Sequence, residues 1–283
     1  MAEYQYIKEL LGTGTGTEGN LLIPTKIHDA LIEEVDKALI PRSEAMMVFG
    51  PGDIPGSSID LNLATANTMD VRLIAEGAEV PLDESEYTRI NSKPLKYGVS
   101  IKITHEMMED SMFNLLQHNV GTAGKRFAEN ENSLTITALG TGANTVTGGA
   151  ALTIANITRA MQFLDNTDFT PTTLFVGVEA LNDLRNIDTF VEADKAGNTD
   201  MLTRGFAGRL YGLNVIKVST NAGMTATTSY VTDRTQAYII AEKRLITVEN
   251  YDLPSHDMSA AAITQRISVT AIRTSAISII TTT

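Results

Sequence analysis

Hydrophobic and polar positions change period several times along the 283-residue chain, and each change predicts a different element. Over Pro24 to Leu39, Ile27, Ala30, Leu31, Val35 and Leu39 recur at helical spacing, with Thr25 as cap or first-turn residue and Pro41 as terminator. Strand-like runs follow at Met46 to Phe49 and Ile59 to Leu63, divided by the glycine- and proline-rich turn Gly50 to Gly56. Alternating runs at Val71 to Ile74 and Val99 to Ile103 then bracket a polar excursion, which predicts a long two-armed hairpin over Met69 to Ile103. Its outgoing arm is acidic (Glu76, Glu79, Asp83, Glu84, Glu86) and its return is basic (Arg89, Lys93, Lys96, Lys102), a charge dipole able to pair with itself or with a neighbouring subunit.

Beyond the hairpin the period becomes helical. Met108, Met112, Leu115, Leu116, Val120, Ala123 and Phe127 mark one face, with Thr104 as N-cap and Glu106 in the first turn. Continued to Leu139, this helix would span on the order of 50 Å, more than a compact domain of this size needs, and Gly121 and Gly124 weaken its middle. Gly140 to Gly149 marks a break. From Ala151 helix and strand alternate: Ile154, Ile157, Met161 and Leu164 predict a helix, and Thr173 to Val178 a strand entering a short helix around Leu181 and Leu184. Strand-like stretches close the chain at Leu245 to Glu249 and Ile263 to Ile280. No internal repeat is present, which argues against a solenoid or propeller.

Composition narrows the function. Hydrophobic content of 43% with 20% charged residues is that of a folded globular protein. No apolar run approaches the ~18 residues of a membrane span. The opening residues lack the basic flank and apolar core of a secretory signal. The absence of cysteine excludes disulfides, thiolate catalysis and cysteine metal sites. A formal charge of -12 argues against sequence-specific nucleic-acid binding, which needs a basic face, though not against an acidic wall around enclosed DNA.

No catalytic or metal constellation assembles. Gly14, Gly16 and Gly19 match a dinucleotide fingerprint, but no alternating strand precedes them and Pro24 interrupts the helix that should follow, so a flexible arm is the better reading. His105-Glu106 opens like a zincin helix without its second histidine, and His118 is expected on the polar side of the long helix. His28 and His256 stand alone. Asp165 to Asp168 offers oxygen ligands but lacks the glycine and distal glutamate of a calcium loop, so a helix-ending turn is expected. The clustered methionines, such as Met46, Met47 and Met112, read as core filler.

An exposed charged hairpin running into a long helix resembles the major capsid proteins of tailed double-stranded DNA viruses. The resemblance is carried by Ala75-Glu76-Gly77-Ala78-Glu79-Val80-Pro81, by Lys93 to Ile101, and by Thr104 to Ser111 with its Asp110-Ser111. Gly208 to Val215 is similar to the family's glycine-rich approach to a buried axial strand, and Tyr230 to Asp233 with Ala237 to Ile240 to its return strands. The fold this implies is α+β. It divides into an arm (1–24), a peripheral domain (25–67), an extended hairpin loop (68–103), a spine helix with more of the peripheral domain (104–150), an axial domain (151–235) and C-terminal peripheral strands (236–283).

The implied function is not enzymatic and needs no cofactor: pentamers and hexamers of one chain, assembled in the host cytoplasm, close into the icosahedral capsid of a virion around double-stranded DNA. Expected partners are the chain itself, a portal, and scaffold or decoration proteins. Family members often carry a scaffolding segment before the arm; this sequence shows none, so a separate scaffold or prior removal of the segment is expected. In some members a hairpin lysine forms an isopeptide bond with a neighbour's asparagine, for which Lys93, Lys96 and Asn250 are the loosely available parts. Ion pairing or solvation is the expected role of the lysines. The rival readings are an encapsulin enclosing an enzyme cargo, a nucleotide-binding α/β enzyme built on Gly14 to Gly19, and a tail or adhesion protein.

Overall fold

The computed structural model describes residues 40, 42–67, 72–74, 76–77, 79–80, 82–83, 85–104, 106, 115–187, 208–253, 255 and 257–282. The expected arm, the helix from Pro24 to Leu39, and most of the first turns of the long helix lie outside these residues. Twelve strands and three α-helices are described. In chain order they are β1 (Met47–Phe49), β2 (Ile59–Asn67), β3 (Ser85–Ser92), β4 (Leu95–Thr104), α1 (Leu115–Leu139), β5 (Asn144–Thr147), α2 (Ile154–Asp165) and β6 (Thr173–Val176). They continue as α3 (Val178–Arg185), β7 (Arg209–Leu210), β8 (Leu213–Lys217), β9 (Thr228–Thr232), β10 (Tyr238–Leu253), β11 (Met258–Ala271) and β12 (Ile277–Thr281).

The strands form three sheets, ordered β1-β10-β11-β4, β5-β12-β9-β6-β8-β7 and β2-β3. β10 and β11 make a long antiparallel hairpin, Tyr238 opposite Ala271 and Leu253 opposite Met258, whose register slips on both sides of Arg244. Along the middle of β11 burial alternates, with Ala261, Ile263, Gln265 and Ile267 inward and the residues between them half-exposed, as a sheet with one covered face requires.

Helix α1 supplies that cover. Val120, Ala123, Phe127 and Ala128 are spaced so that they share a stripe, and they pack with Ile101, Ile103, Ile246 and Ile263 of the four-stranded sheet. Farther along, Ile136 and Leu139 join a second cluster with Tyr238, Ile240 and Ile267, which also receives Phe175, Tyr230 and Ile277 from the six-stranded sheet. This cluster joins the two large sheets. The opposite face of the six-stranded sheet presents Leu174, Val176, Val231 and Ile280 to Ile157, Ala160 and Leu164 of α2 and to Ala180, Leu181 and Leu184 of α3. Because β6 is covered on both faces, all four of its residues are buried.

Local chemistry starts and stops these elements where the sequence suggests. The Thr153 side chain accepts from the Asn156 backbone N–H at the start of α2. The turn after α2 places Asp168 at φ 59°, the helix-ending role expected of Asp165 to Asp168. Tyr211 and Gly212, at φ 49° and 85°, form a tight turn between β7 and β8 of the kind that needs two left-handed residues.

Two expectations are corrected. The ribbon pairs β2 with β3, Ile59 opposite Ser92 and Asn67 opposite Ser85, so its outgoing arm is Ile59–Asn67 and not Val71 to Ile74. Val99 to Ile103 does not return the hairpin; it lies in β4, paired with β11. The alternation of Val99 to Ile103 is real, but its inward residues answer α1 and β11, which periodicity within the segment does not reveal. Likewise Ile263 to Ile280 is two strands in two sheets, separated by a 3-10 turn at Thr274–Ala276. The six-stranded sheet also takes Asn144–Thr147 and Ile277–Thr281 from outside the expected 151–235 span, because β12 pairs with both β5 and β9.

Candidate assembly surface

The β2-β3 ribbon has two unlike faces because both strands alternate. Ile59, Leu61 and Leu63 lie on one face and are half-buried, while Asp60, Asn62 and Ala64 on the other are exposed. On the polar face Arg89 and Asn91 both donate to the Asp60 carboxylate. The Arg89 hydrogen bond, then that of Asn91, holds the Asp60 carboxyl below the usual carboxylate range, and the Arg89 guanidinium is shifted up in return. At the far end the Arg72 guanidinium meets Asp83 at 3.2 Å. The tip exposes apolar groups: Leu73 is 103% exposed and Leu82 98%.

The root is fixed differently. Ser92, buried, pairs its hydroxyl with that of Ser268 at 2.8 Å and accepts from Thr270 Oγ1 at 2.8 Å, so the ribbon is stapled to the outer face of β11. Next to this staple opens a groove of about 520 Å³ lined by Lys93, Lys96, Lys243, Arg244 and Arg266, with Pro94 and Leu95 as its apolar wall. Arg266 Nη2 donates to the Pro94 carbonyl at 3.3 Å, and Lys243 Nζ to the carbonyls of Ile54, at 2.9 Å, and Gly56.

Beneath the surface, the turn at Arg42–Glu44 joins the elements through buried carboxylates. Arg42 Nε and Nη2 reach the two oxygens of Glu131 on α1, each at 2.7 Å, and Nη1 reaches Glu242 on β10 at 3.0 Å. Gln265 donates to the other Glu242 oxygen at 2.8 Å. Glu44 receives the Thr173 hydroxyl and, at 3.2 Å, the Asn214 amide, both on the six-stranded sheet. Burial, with the charges of Glu44 and Glu131 nearby, pushes the Tyr238 phenol well above its ordinary value.

The residues expected from sequence at subunit contacts are thus divided by the fold. Glu76, Glu79 and Glu86 are exposed at the tip end of the ribbon, Asp83 is paired, Arg89 is bound to Asp60, and Glu84 lies outside the described residues. Lys93 and Lys96 are at the root, in the groove. Asn250 lies in β10 opposite Ala261, and its side chain is outside the described residues. His28, His105 and His256 are likewise outside, as are the side chain of His118 and the glycines at 14, 16 and 19. Among the described residues no group of three His, Cys, Asp or Glu could hold a metal ion. Nor, among them, is any helix long and apolar enough to cross a membrane. Sequence reasoning missed Lys243, Arg244 and Arg266. The signal was the charged break Glu242-Lys243-Arg244 within an otherwise apolar strand, but its partners are brought up by pairing between distant strands.

Comparison with known proteins agrees with this architecture. No curated protein sequence matches the chain. Among solved structures, one from Mycobacterium phage Che8 superposes with a TM-score of 0.67 at 14% identity, covering 80% of this chain and 84% of that one. The mature capsid of bacteriophage PhiM1 gives 0.68 at 11% identity over 87% of each chain. A virus-like particle from Pyrococcus furiosus gives 0.62 at 13% identity, covering 90% of this chain and 98% of that one. At these identities the likeness speaks for the fold. The family model described as phage capsid protein matches residues 87–274, more than half the chain, from within the ribbon's return strand through β11. The chain therefore belongs to the phage capsid protein family.

Proposed function

We propose that this chain assembles into the pentamers and hexamers of a closed shell around double-stranded DNA, formed in the host cytoplasm, with a portal and a scaffold or decoration protein as further partners. The observation that carries the reading is the ribbon: stapled at Ser92 and bare at Leu73 and Leu82, it is built to be covered by something other than its own subunit. Lying across a neighbour, it brings Glu76, Glu79, Glu86 and Arg89 to the contact, while Lys93 and Lys96 receive charge at its root. Those two lysines act as ionic groups and stand beside three other cations, Lys243, Arg244 and Arg266. The C-terminal strand β12 and the entry strand β5 share one sheet, which supports treating 144–187 with 208–232 and 277–281 as the axial unit.

Negative-stain electron microscopy of the purified protein, alone and with a candidate scaffold, tests this. Closed polyhedral particles, or free pentamers and hexamers, are expected, with DNA inside those recovered from infected cells. A co-purifying enzyme inside the particles would identify an encapsulin instead. A monomer or dimer that never assembles would overturn the shell.

A further inference from the structure

Three cations stand in cross-strand register on the outer face of the four-stranded sheet. Lys96 of β4 lies opposite Arg266 of β11, and Arg266 lies opposite Arg244 of β10. Like charges directly opposite one another destabilise a sheet. The fold concentrates them further. Strict alternation would send Lys243 and Arg244 to opposite faces, but the register slips on both sides of Arg244 let both line one groove. Lys93 completes five cations, and among the described residues no carboxylate lines the groove. Among the described residues none of the five forms an ion pair, and Arg244 Nε is buried without a hydrogen-bond partner. A chain of net charge -12 thus gathers five of its 22 basic residues at one unneutralised site.

We propose that this groove is the receptor for the acidic ribbon tip of a second copy of the chain, with Glu76 and Glu79 set against the Lys96-Arg266-Arg244 row. The assignment rests on the shell reading above and names both sides of one contact in it. The paired ribbon carries the tip away from its own groove. Lys93 follows the ribbon root, where Ile59 pairs Ser92, and the paired arm ends at Asn67 and Ser85. Seven residues of β3 at about 3.3 Å each put the tip roughly 23 Å away while the ribbon stays paired. The match extends beyond charge. Leu73 and Leu82 at the tip are wholly exposed, and Leu95 on the groove wall is 54% exposed. A phosphate backbone would answer the cations but leave these apolar groups in water, which favours a protein segment over nucleic acid.

Because the chain contains no cysteine, single cysteines report the contact directly. Glu79→Cys subunits carrying an affinity tag are mixed with untagged Lys96→Cys subunits, assembled, and mildly oxidised. A disulfide joining tagged to untagged chains is expected in particles and not in unassembled subunits. In parallel, Lys96→Glu/Arg266→Glu is expected to raise the protein concentration needed for assembly about tenfold, and adding Glu76→Lys/Glu79→Lys to restore it. Subunit melting curves show whether each variant is folded. Particles that lack the mixed disulfide, or a four-site reversal that does not restore assembly, overturn the groove assignment and leave the shell reading standing. Wild-type protein that forms no particles removes both. Lys96→Glu/Arg266→Glu particles that assemble normally but lose bound DNA would make phosphate the ligand and sink the proposal.

Discussion

Arg42 is the residue on which the interior charges depend. Its guanidinium is a third exposed, but the Glu131 and Glu242 carboxylates it holds are almost wholly buried, at 3% and 4%. Removing it leaves two carboxylates in a poorly solvating interior, so Arg42→Met is expected to destabilise the subunit by about 2–3 kcal/mol, the exposed side of the guanidinium moderating the full cost of a broken buried pair. Chemical denaturation measures this, and converting Glu131 and Glu242 to glutamine in the same chain should recover part of the loss. Tyr238 sets a limit at the other end of the pH scale. Its phenol is raised by burial, so the folded state keeps the proton when the unfolded chain begins to lose it. The stability this contributes is complete below about pH 10 and falls as pH rises beyond it. Tyr238→Phe should therefore flatten the alkaline limb of the unfolding curve relative to wild type, a difference read by melting temperature between pH 9 and 11.

Among the elements, α1 does what the helical period predicted over the part described. Val120, Ala123 and Phe127, chosen from spacing alone, are buried against β4, β10 and β11. Phe127→Ala should remove the largest of these contacts and cost about 3–5 kcal/mol, measured by denaturant unfolding, with the helix parting from the four-stranded sheet before the six-stranded sheet is lost. The same stripe turns polar one turn on, at Glu131, where an apolar residue would be expected from period. That departure is explained only by Arg42, 89 residues away in the chain. The ribbon shows the opposite case. Its existence was legible in the polar excursion and its charge asymmetry, but its arms were misplaced, because Ile59–Asn67 alternates like any half-covered strand and its partner strand is decided by register.

For the whole molecule, assembly is expected to respond to salt more than folding does. The sheets are joined by buried apolar clusters, which salt does not screen, whereas the ribbon and groove carry exposed charges. At 1 M ionic strength the screening length is about 3 Å, so particles should dissociate or fail to form while the subunit melting temperature is little changed. Light scattering alongside calorimetry across a salt series separates the two, and a subunit that melts in step with particle loss would contradict this division.

The sequence by itself determined the class of protein. Hairpin, long helix and helix–strand alternation can all be read within short windows, because propensity, capping and periodicity are local properties. What only the tertiary structure decided was which strands meet. Pairing joins Ile59 to Ser92, Lys96 to Arg266, and Arg266 to Arg244, and it sends β12 back to β5. Hydrogen bonds of a strand edge are alike in every strand, so partner choice rests on what each face must bury and on the turns between, and that is settled only when the whole core is assembled. The basic groove belongs to this second kind of information: its cations come from three strands and become neighbours only in register.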